Sequence, residues 1–392
     1  MKKKIAILGS TGSIGLTSLK IIQKDQRNFK IQLLSAKKNY KLLLKQAKKF
    51  KVKNIIIHNK KTFEKHKDFF AKKKIRTFQN TNDYLKKNKK IKFDYTMSSI
   101  TGLEGLLPTL EIIRFSKNIA IANKESIICG WSLIKNELNK NQTNFIPVDS
   151  EHFSILNLIK TENKSNINKI FITASGGPFL NNNISTIKNS NPKIAMKHPT
   201  WKMGKKISID SATLMNKVFE FIEAKKIFDL DKSKFQIIIQ PTSYVHAIVE
   251  FKNGVTKFLT HPTSMKIPIF NSLYFDNNHK FKFEKINFDK LNKLDFKNVD
   301  YKKFPINKIL NKIPNNDTLF ETILISANDT LVDLFLKKKI SFYEIYEKLN
   351  YVIELREFKK LRKRKPKNIG QILELSNKVR LKTQSLSVIS RN

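Results

Sequence analysis

One cysteine, Cys129, is all the chain contains. That excludes a disulfide framework and a thiol-based zinc site, and it fits a reducing compartment. Acid is scarce as well: 32 aspartates and glutamates stand against 76 lysines and arginines, for a net charge of +44. No run of about 18 apolar residues occurs, so no segment is expected to span a membrane. The opening, MKKKIAILGSTGSIG, holds an apolar stretch only over residues 5–8 before Gly9, too short for the apolar core of a secretory signal. A cytoplasmic protein is expected. The positive excess invites a nucleic-acid reading, because clustered lysines neutralise phosphates. Here, however, lysines run along nearly the whole chain beside asparagine and isoleucine, a pattern that decorates solvated faces. The nearest thing to a patch is REFKKLRKRKPK at 356–367, which serves equally as an exposed helix end. Neither nucleic acid nor membrane is expected as a partner.

What is present is organised. At 392 residues the chain exceeds one ordinary core. Over 1–150, short apolar runs at 4–8, 30–34, 54–57, 93–97, 118–121 and 144–148 alternate with amphipathic stretches such as 13–23 and 124–138. Alternation of this kind argues for an α/β domain with a parallel sheet covered on both faces. Residues 151–285 are mixed α+β: a strand in KIFITAS, an irregular stretch that includes 192–206, a helix from 212 to about 228, and three strands with an Asn253-Gly254 hairpin turn. A polar connector is expected over 286–305. A helical domain follows over 306–392, with Ser341 as a helix cap.

The first strand runs into GSTGSIG, which places Gly9, Gly12 and Gly15 at the opening of a helix. Glycines let a backbone turn tightly and approach a pyrophosphate, whose charge the helix N-terminus favours. A glycine-rich turn without ligand has the same spacing; its place as the first strand-to-helix turn of an alternating domain favours the ligand. The second strand ends near Ser35, Lys37, Lys38 and Asn39, where an NAD enzyme usually offers an acid. Cations there suit a 2′-phosphate and point to NADP.

Two of the scarce acids, Asp149 and Glu151, sit in VDSEH. In extended backbone, residues i and i+2 face the same way, so the pair is expected on one face at the end of a strand. Oxygen ligands of this type suit Mg²⁺ or Mn²⁺. A third is available in Glu220, on a helix whose polar edge also carries Asn216 and Lys217, with Ser211 as its expected N-cap. By spacing alone, a solvated acidic turn and an ordinary amphipathic helix fit these residues as well.

Taken together, GSTGSIG, ANKES (122–126), PVDSEH (147–152), ASGGPF (174–179) and HPTWKMGKKISIDSATLMNK (198–217) occur in one order. The chain resembles the 1-deoxy-D-xylulose 5-phosphate reductoisomerase family over essentially its whole length. The resemblance implies a Rossmann-like NADPH-binding domain, a central catalytic domain with a flexible lid over 192–206, and a helical C-terminal domain. It implies NADPH with Mg²⁺ or Mn²⁺ as cofactors, a small phosphorylated sugar as substrate, and a homodimer. Thr11, Gly12, Ser13, Ile14, Lys38, Asn39, Asn123, Glu125 and Gly204 would meet NADPH. Asp149, Glu151 and Glu220 would bind the metal. Ser150, Glu151, Ser175, His198, Trp201, Ser211, Asn216, Lys217 and Glu220 would hold the substrate, with Lys124 beside its reacting end; His198 joins Lys124 and the three acids in catalysis. Two departures from the family pattern are Lys37, where a glycine is usual, and Thr263-Ser264-Met265 in place of Pro-Asp-Met. The competing readings are a semialdehyde or homoserine dehydrogenase and, on charge alone, a nucleic-acid-binding protein.

Overall fold

The computed structural model describes residues 1–276 and 285–389. The stretch 277–284 within the expected central domain, and the last three residues of the expected C-terminal one, lie outside the described residues. The chain forms two compact units. One comprises residues 1–149 with 265–276; the other comprises 150–264 with the described residues from 285 onward. Among the described residues, no helix is long and apolar enough to cross a membrane.

The first unit is built on a seven-stranded sheet: β1 (Lys3–Leu8), β2 (Phe29–Ala36), β3 (Asn54–Ile57), β4 (Arg76–Phe78), β5 (Tyr95–Ser98), β6 (Asn118–Ile121) and β7 (Asn144–Pro147), in the order β4-β3-β2-β1-β5-β6-β7. Every pairing is parallel. Ile5, Ile7, Ile55, Ile57, Tyr95 and Met97 are fully buried, as expected of strands with a helical layer on each face. The order reverses beside β1. In such sheets, ligands collect outside the carboxyl ends of the strands at that reversal, and Gly9 follows β1 there. Strand β4 has no counterpart among the expected strands, because its three residues are too few for a period.

The segment after Ser264 joins this first core. Its helix Lys266–Leu273 packs on the Ser13–Lys24 helix. Ile269, Phe270 and Leu273 enter the apolar cluster, and Ser272 Oγ meets the Tyr95 hydroxyl at 2.7 Å.

The second unit holds a five-stranded sheet, β8 (Ile167–Ala174), β9 (Phe235–Ile239), β10 (Val245–Phe251), β11 (Thr256–Thr260) and β12 (Lys297–Asn298), ordered β11-β10-β8-β9-β12. Strand β8 runs parallel to β9, and β10 antiparallel to both β8 and β11. The β10–β11 turn contains Gly254 at φ +84°. The polar stretch 286–305 carries the short helix Phe288–Asn292 and β12. Beyond it, the Phe342–Glu354 helix begins on a reciprocal cap in which Ser341 and Glu344 each bond the other's backbone N–H.

The expected helix from 212 to 228 is two helices, Lys205–Ala212 and Met215–Phe228. Leu214 separates them at φ +64°, a left-handed conformation that costs a buried leucine of order 1–3 kcal/mol and persists only where packing enforces it. Ser211 is therefore not an N-cap; it lies in the last turn of the first helix. Apolar spacing did not register this break, because Leu214 keeps the buried stripe unbroken.

Candidate active site

The first loop is shaped by two glycines. Gly9 has φ +82°, and a Cβ there would lie 2.6 Å from the Ser99 carbonyl oxygen. A Cβ on Gly15 would lie 2.5 Å from the Gly9 carbonyl oxygen and equally close to Ser10 Cα. The helix Ser13–Lys24 thus packs directly against the turn that feeds it. Gly15→Ala is expected to force that helix off the turn at a cost of about 1–3 kcal/mol. Its signature is a lower Tm with a raised KM for the dinucleotide. Thr11, Gly12, Ser13 and Ile14 remain exposed or half-buried along the opening of this helix, where backbone N–H groups have no partner within the helix.

The adenosine-side residues separate. Ser35 is fully buried, and its Oγ accepts from the Gly9 N–H at 3.0 Å. It belongs to the fold and does not present itself to a ligand, which corrects the expectation for this position. Lys37 pairs with Glu104 at 2.6 Å on the surface. Lys38 and Asn39 are exposed; Asn39 Oδ1 also caps the Tyr40–Lys49 helix by accepting from the Leu42 N–H at 3.2 Å. Asn123 is 3% exposed. Its Oδ1 caps the Lys124–Lys140 helix at Ser126, and its Nδ2 donates to the carbonyls of Ile100 and Gly102. Asn123 therefore fixes both the loop after β5 and the start of the helix that carries Lys124 and the buried Glu125.

Asp149 closes the first unit and is peptide-bonded to Ser150, the first residue of the Ser150–Ile159 helix. Extended-strand alternation therefore does not place the two acids, contrary to expectation: β7 ends at Pro147, and Glu151 lies on the first turn of a helix. The pair nevertheless converges with the distant third acid. Asp149, Glu151 and Glu220 each offer a carboxylate oxygen, all within 4.8 Å of one another. Asp149 also groups with His152 and Glu223; the first set is all oxygen, the chemistry of hard divalent cations. Like charges this close demand cations. Lys124 Nζ pairs with Asp149. Lys217 Nζ bridges Glu151 and Glu220, the latter at 2.6 Å. Burial alone pushes the Lys217 ammonium down, but the two carboxylates outweigh it and hold its pKa above the ordinary lysine range.

Neighbouring groups hold the acids in place. Ser150 Oγ donates to Glu151 at 2.6 Å. Asn216 Nδ2 donates to Glu220 Oε1, while the buried Asn216 Oδ1 has no donor among the described residues. His152, 1% exposed, donates from Nε2 to the Glu220 backbone carbonyl at 3.0 Å. That bond ties the helix of Glu151 to the helix of Glu220. Sequence reading passed over His152, although it adjoins Glu151; nothing in its spacing separates it from any other half-turn neighbour.

The remaining predicted substrate residues share the second unit. Ser175 Oγ accepts from the Gly177 N–H at 3.1 Å and meets His198 Nε2 at 3.1 Å. His198 Nδ1 accepts from the backbone N–H of Thr200 at 3.2 Å and of Trp201 at 2.9 Å. A ring nitrogen that accepts is unprotonated, so Nε2 carries the hydrogen and donates to Ser175. Burial, with Lys217 adding to it, lowers the His198 pKa to about 4, which keeps the ring neutral. A Cβ on Gly177, at φ +64°, would meet the Ser211 carbonyl oxygen at 2.8 Å; its lack of a side chain lets the Ser175 loop approach Ser211. Gly204 is extended and begins the Lys205–Ala212 helix. Trp201 is half-buried. Cys129 is 2% exposed inside a helix, the wrong setting for the nucleophile of a semialdehyde dehydrogenase.

Three family models match the chain. The 1-deoxy-D-xylulose 5-phosphate reductoisomerase model covers residues 5–130, and two models of C-terminal domains of that enzyme cover 145–228 and 261–382. The reductoisomerase of Pelagibacter ubique is 54% identical over 388 residues, covering 98% of this chain and all of that protein. That of Clostridium tetani is 38% identical over 348 residues, 88% of this chain and 90% of its own. Among solved structures, the Zymomonas mobilis reductoisomerase in complex with NADPH superposes with a TM-score of 0.89 at 29% identity, covering 99% of each chain. A reductoisomerase in complex with NADPH, fosmidomycin and magnesium gives 0.92 at 28% identity, covering 100% of this chain and 99% of its own. On these matches, and on the order in which the motifs meet the geometry above, the chain belongs to the 1-deoxy-D-xylulose 5-phosphate reductoisomerase family.

Proposed function

We propose that Asp149, Glu151 and Glu220 hold the divalent cation of an NADPH-dependent reductoisomerase that converts 1-deoxy-D-xylulose 5-phosphate to 2-C-methyl-D-erythritol 4-phosphate, in isoprenoid precursor biosynthesis. The observation that carries the assignment is the convergence of three carboxylates within 4.8 Å, two of them bridged by Lys217, in a chain so poor in acid. When bound, Mg²⁺ or Mn²⁺ supplies Lewis acidity at the substrate's vicinal oxygens and NADPH supplies the hydride.

The chain's own residues do the rest. Ser175, Ser211, Asn216 and Lys217 surround the substrate phosphate, whose binding energy then holds the small reacting end in place. His198 donates from Nε2. Lys124 sits beside Asp149, where an ammonium compensates negative charge on oxygen or delivers a proton. Trp201 and Met203, flanked by Pro199 and Gly204, make an apolar cover over 192–206 that excludes water from the aldehyde intermediate. On the cofactor side, Thr11, Gly12, Ser13 and Ile14 take the pyrophosphate, Lys38 and Asn39 lie near the adenosine phosphate, Asn123 and Glu125 also touch NADPH, and Gly204 packs close to it.

In the functional division proposed, 1–150 binds NADPH, 151–285 binds metal and substrate, 286–305 connects, and 306–392 supports them. The enzyme acts in the cytoplasm as a homodimer. Support for the dimer is the edge strand β11, where Phe258 is 52% exposed, with Val255 in the preceding turn at 46%.

The test is oxidation of NADPH followed at 340 nm with 1-deoxy-D-xylulose 5-phosphate, with EDTA and then with Mg²⁺ or Mn²⁺ restored. Turnover is expected only with the cation. Turnover that survives EDTA overturns the metal assignment, and no turnover under any condition overturns the reading as a whole.

A further inference from the structure

Four rings of the second unit form a continuous ladder. Trp201 sets its edge against His246, with ring centroids 6.3 Å apart at 76°. His246 stacks on His261 at 3.6 Å and 15°. His261 meets Phe153 at 6.1 Å and 61°, and Phe153 lies two residues beyond Glu151. The stack has a backbone cause. Pairing of β10 with β11 steps from Val245 opposite Thr260 to Ala247 opposite Leu259, so His246 is the extra residue of a bulge. A bulge re-aims the side chain it carries. The His261 N–H donates to the Tyr244 carbonyl at 3.2 Å, and His246 Nε2 donates to the His261 carbonyl at 3.0 Å.

Within this ladder His261 is 6% exposed. Its Nδ1 donates to the Pro262 carbonyl at 2.8 Å, which leaves Nε2 as a bare lone pair. No group among the described residues donates to it. Apart from the Pro262 bond, what the His261 side chain offers its surroundings is its ring face. Burial lowers its pKa.

We propose that His261 is a positioning residue for the reaction: through His246 it fixes Trp201, and through Trp201 the side chain of His198, while Phe153 anchors the ladder on the helix of Glu151. The link from Trp201 to His198 is the 2.9 Å bond from its backbone N–H to His198 Nδ1. The adjacent Thr200 Oγ1 lies 3.1 Å from Ser243 Oγ, so this end of the segment is held on two sides. The proposal rests on the reading of His198 and Ser175 as substrate ligands. Neither composition nor motif spacing singled out His261.

The test uses His261→Ala and His261→Phe in the full-length protein. With the alanine variant, KM for 1-deoxy-D-xylulose 5-phosphate is expected to rise about tenfold while kcat changes by less than about threefold, a loss confined to binding. KM for NADPH stays unchanged. The phenylalanine variant keeps a flat face and restores KM to near wild type. A Trp131→Phe background leaves Trp201 as the sole tryptophan of the two. There, ligand-free emission is expected to shift to the red for alanine and not for phenylalanine. An alanine variant with unchanged KM and emission overturns the proposal. So does a phenylalanine variant as impaired as alanine, because the lone pair and not the face would then matter. If His261→Ala fails to fold by circular dichroism, His261→Leu, with bulk but no π face, takes its place. Failure of the wild type to turn over the sugar phosphate counts against the functional reading alone, and the emission comparison still decides the ladder.

Discussion

Glu220→Gln is expected to keep the fold and lose about 10³-fold in kcat with saturating Mg²⁺. Glu220 is 2% exposed and lies within 4.8 Å of both other acids. Glutamine keeps the size of the side chain and an oxygen for Asn216, so packing survives. On the metal assignment proposed, what disappears is one of three negative charges around the cation. A bound Lewis acid contributes several kcal/mol to transition-state stabilisation, and roughly 4 kcal/mol corresponds to 10³ in rate. Calorimetric titration with Mn²⁺ is expected to show weakened binding in step with the kinetic loss. A variant that turns over near the wild-type rate with Mg²⁺ would mean that the three carboxylates are not the metal site.

Lys217→Ala has the largest expected effect on stability. Its ammonium is shared by Glu151 and Glu220, which are 8% and 2% exposed. Removing one partner of a buried ion pair leaves uncompensated charge and costs about 3–5 kcal/mol. In EDTA, thermal unfolding of the variant is therefore expected well below that of the wild type. A divalent cation bound by the same carboxylates replaces the missing charge. At a concentration about a hundred times its Kd it returns about 2.7 kcal/mol, so Mg²⁺ raises the variant's Tm more than it raises the wild type's. The readout does not depend on activity. Kinetically, KM for the substrate is expected to rise, because in the function proposed the same ammonium holds the substrate phosphate. Equal Mg²⁺ shifts in both proteins, with no loss in EDTA, would remove Lys217 from the acidic cluster.

Much of the first unit was legible beforehand because its signals are local. Strands 54–57 and 118–121 coincide with β3 and β6, since buried parallel strands are continuous apolar runs bounded by polar residues. The glycine loop was legible from its local spacing: Gly15 is demanded by contact with Gly9 and Ser10, although the demand on Gly9 comes from Ser99, distant in sequence after β5. The carboxylates were found by scarcity, but the route to them was wrong in detail. Alternation along a strand placed Asp149 and Glu151 together, whereas a helix start does so. Ser35, offered for the phosphate, is consumed by the fold through its bond from the Gly9 N–H, because a polar side chain at a strand end is as useful for closing a turn as for holding a cofactor.

By itself the sequence determined the groups available: three scarce acids in two motifs, a glycine-rich turn after the first strand, a single thiol, and the reductoisomerase family, carried by motifs in unbroken order. Tertiary structure alone decided which groups meet. It assigned the helix Lys266–Leu273 to the first core, broke one helix at Leu214, gave Lys217 to two acids, and stacked His261 on His246. The physical reason is range. Periodicity and turn chemistry act over a few residues, whereas an ion pair between residues 151 and 217 or a ring contact between 201 and 246 depends on how distant elements pack, and that packing leaves no period in the chain.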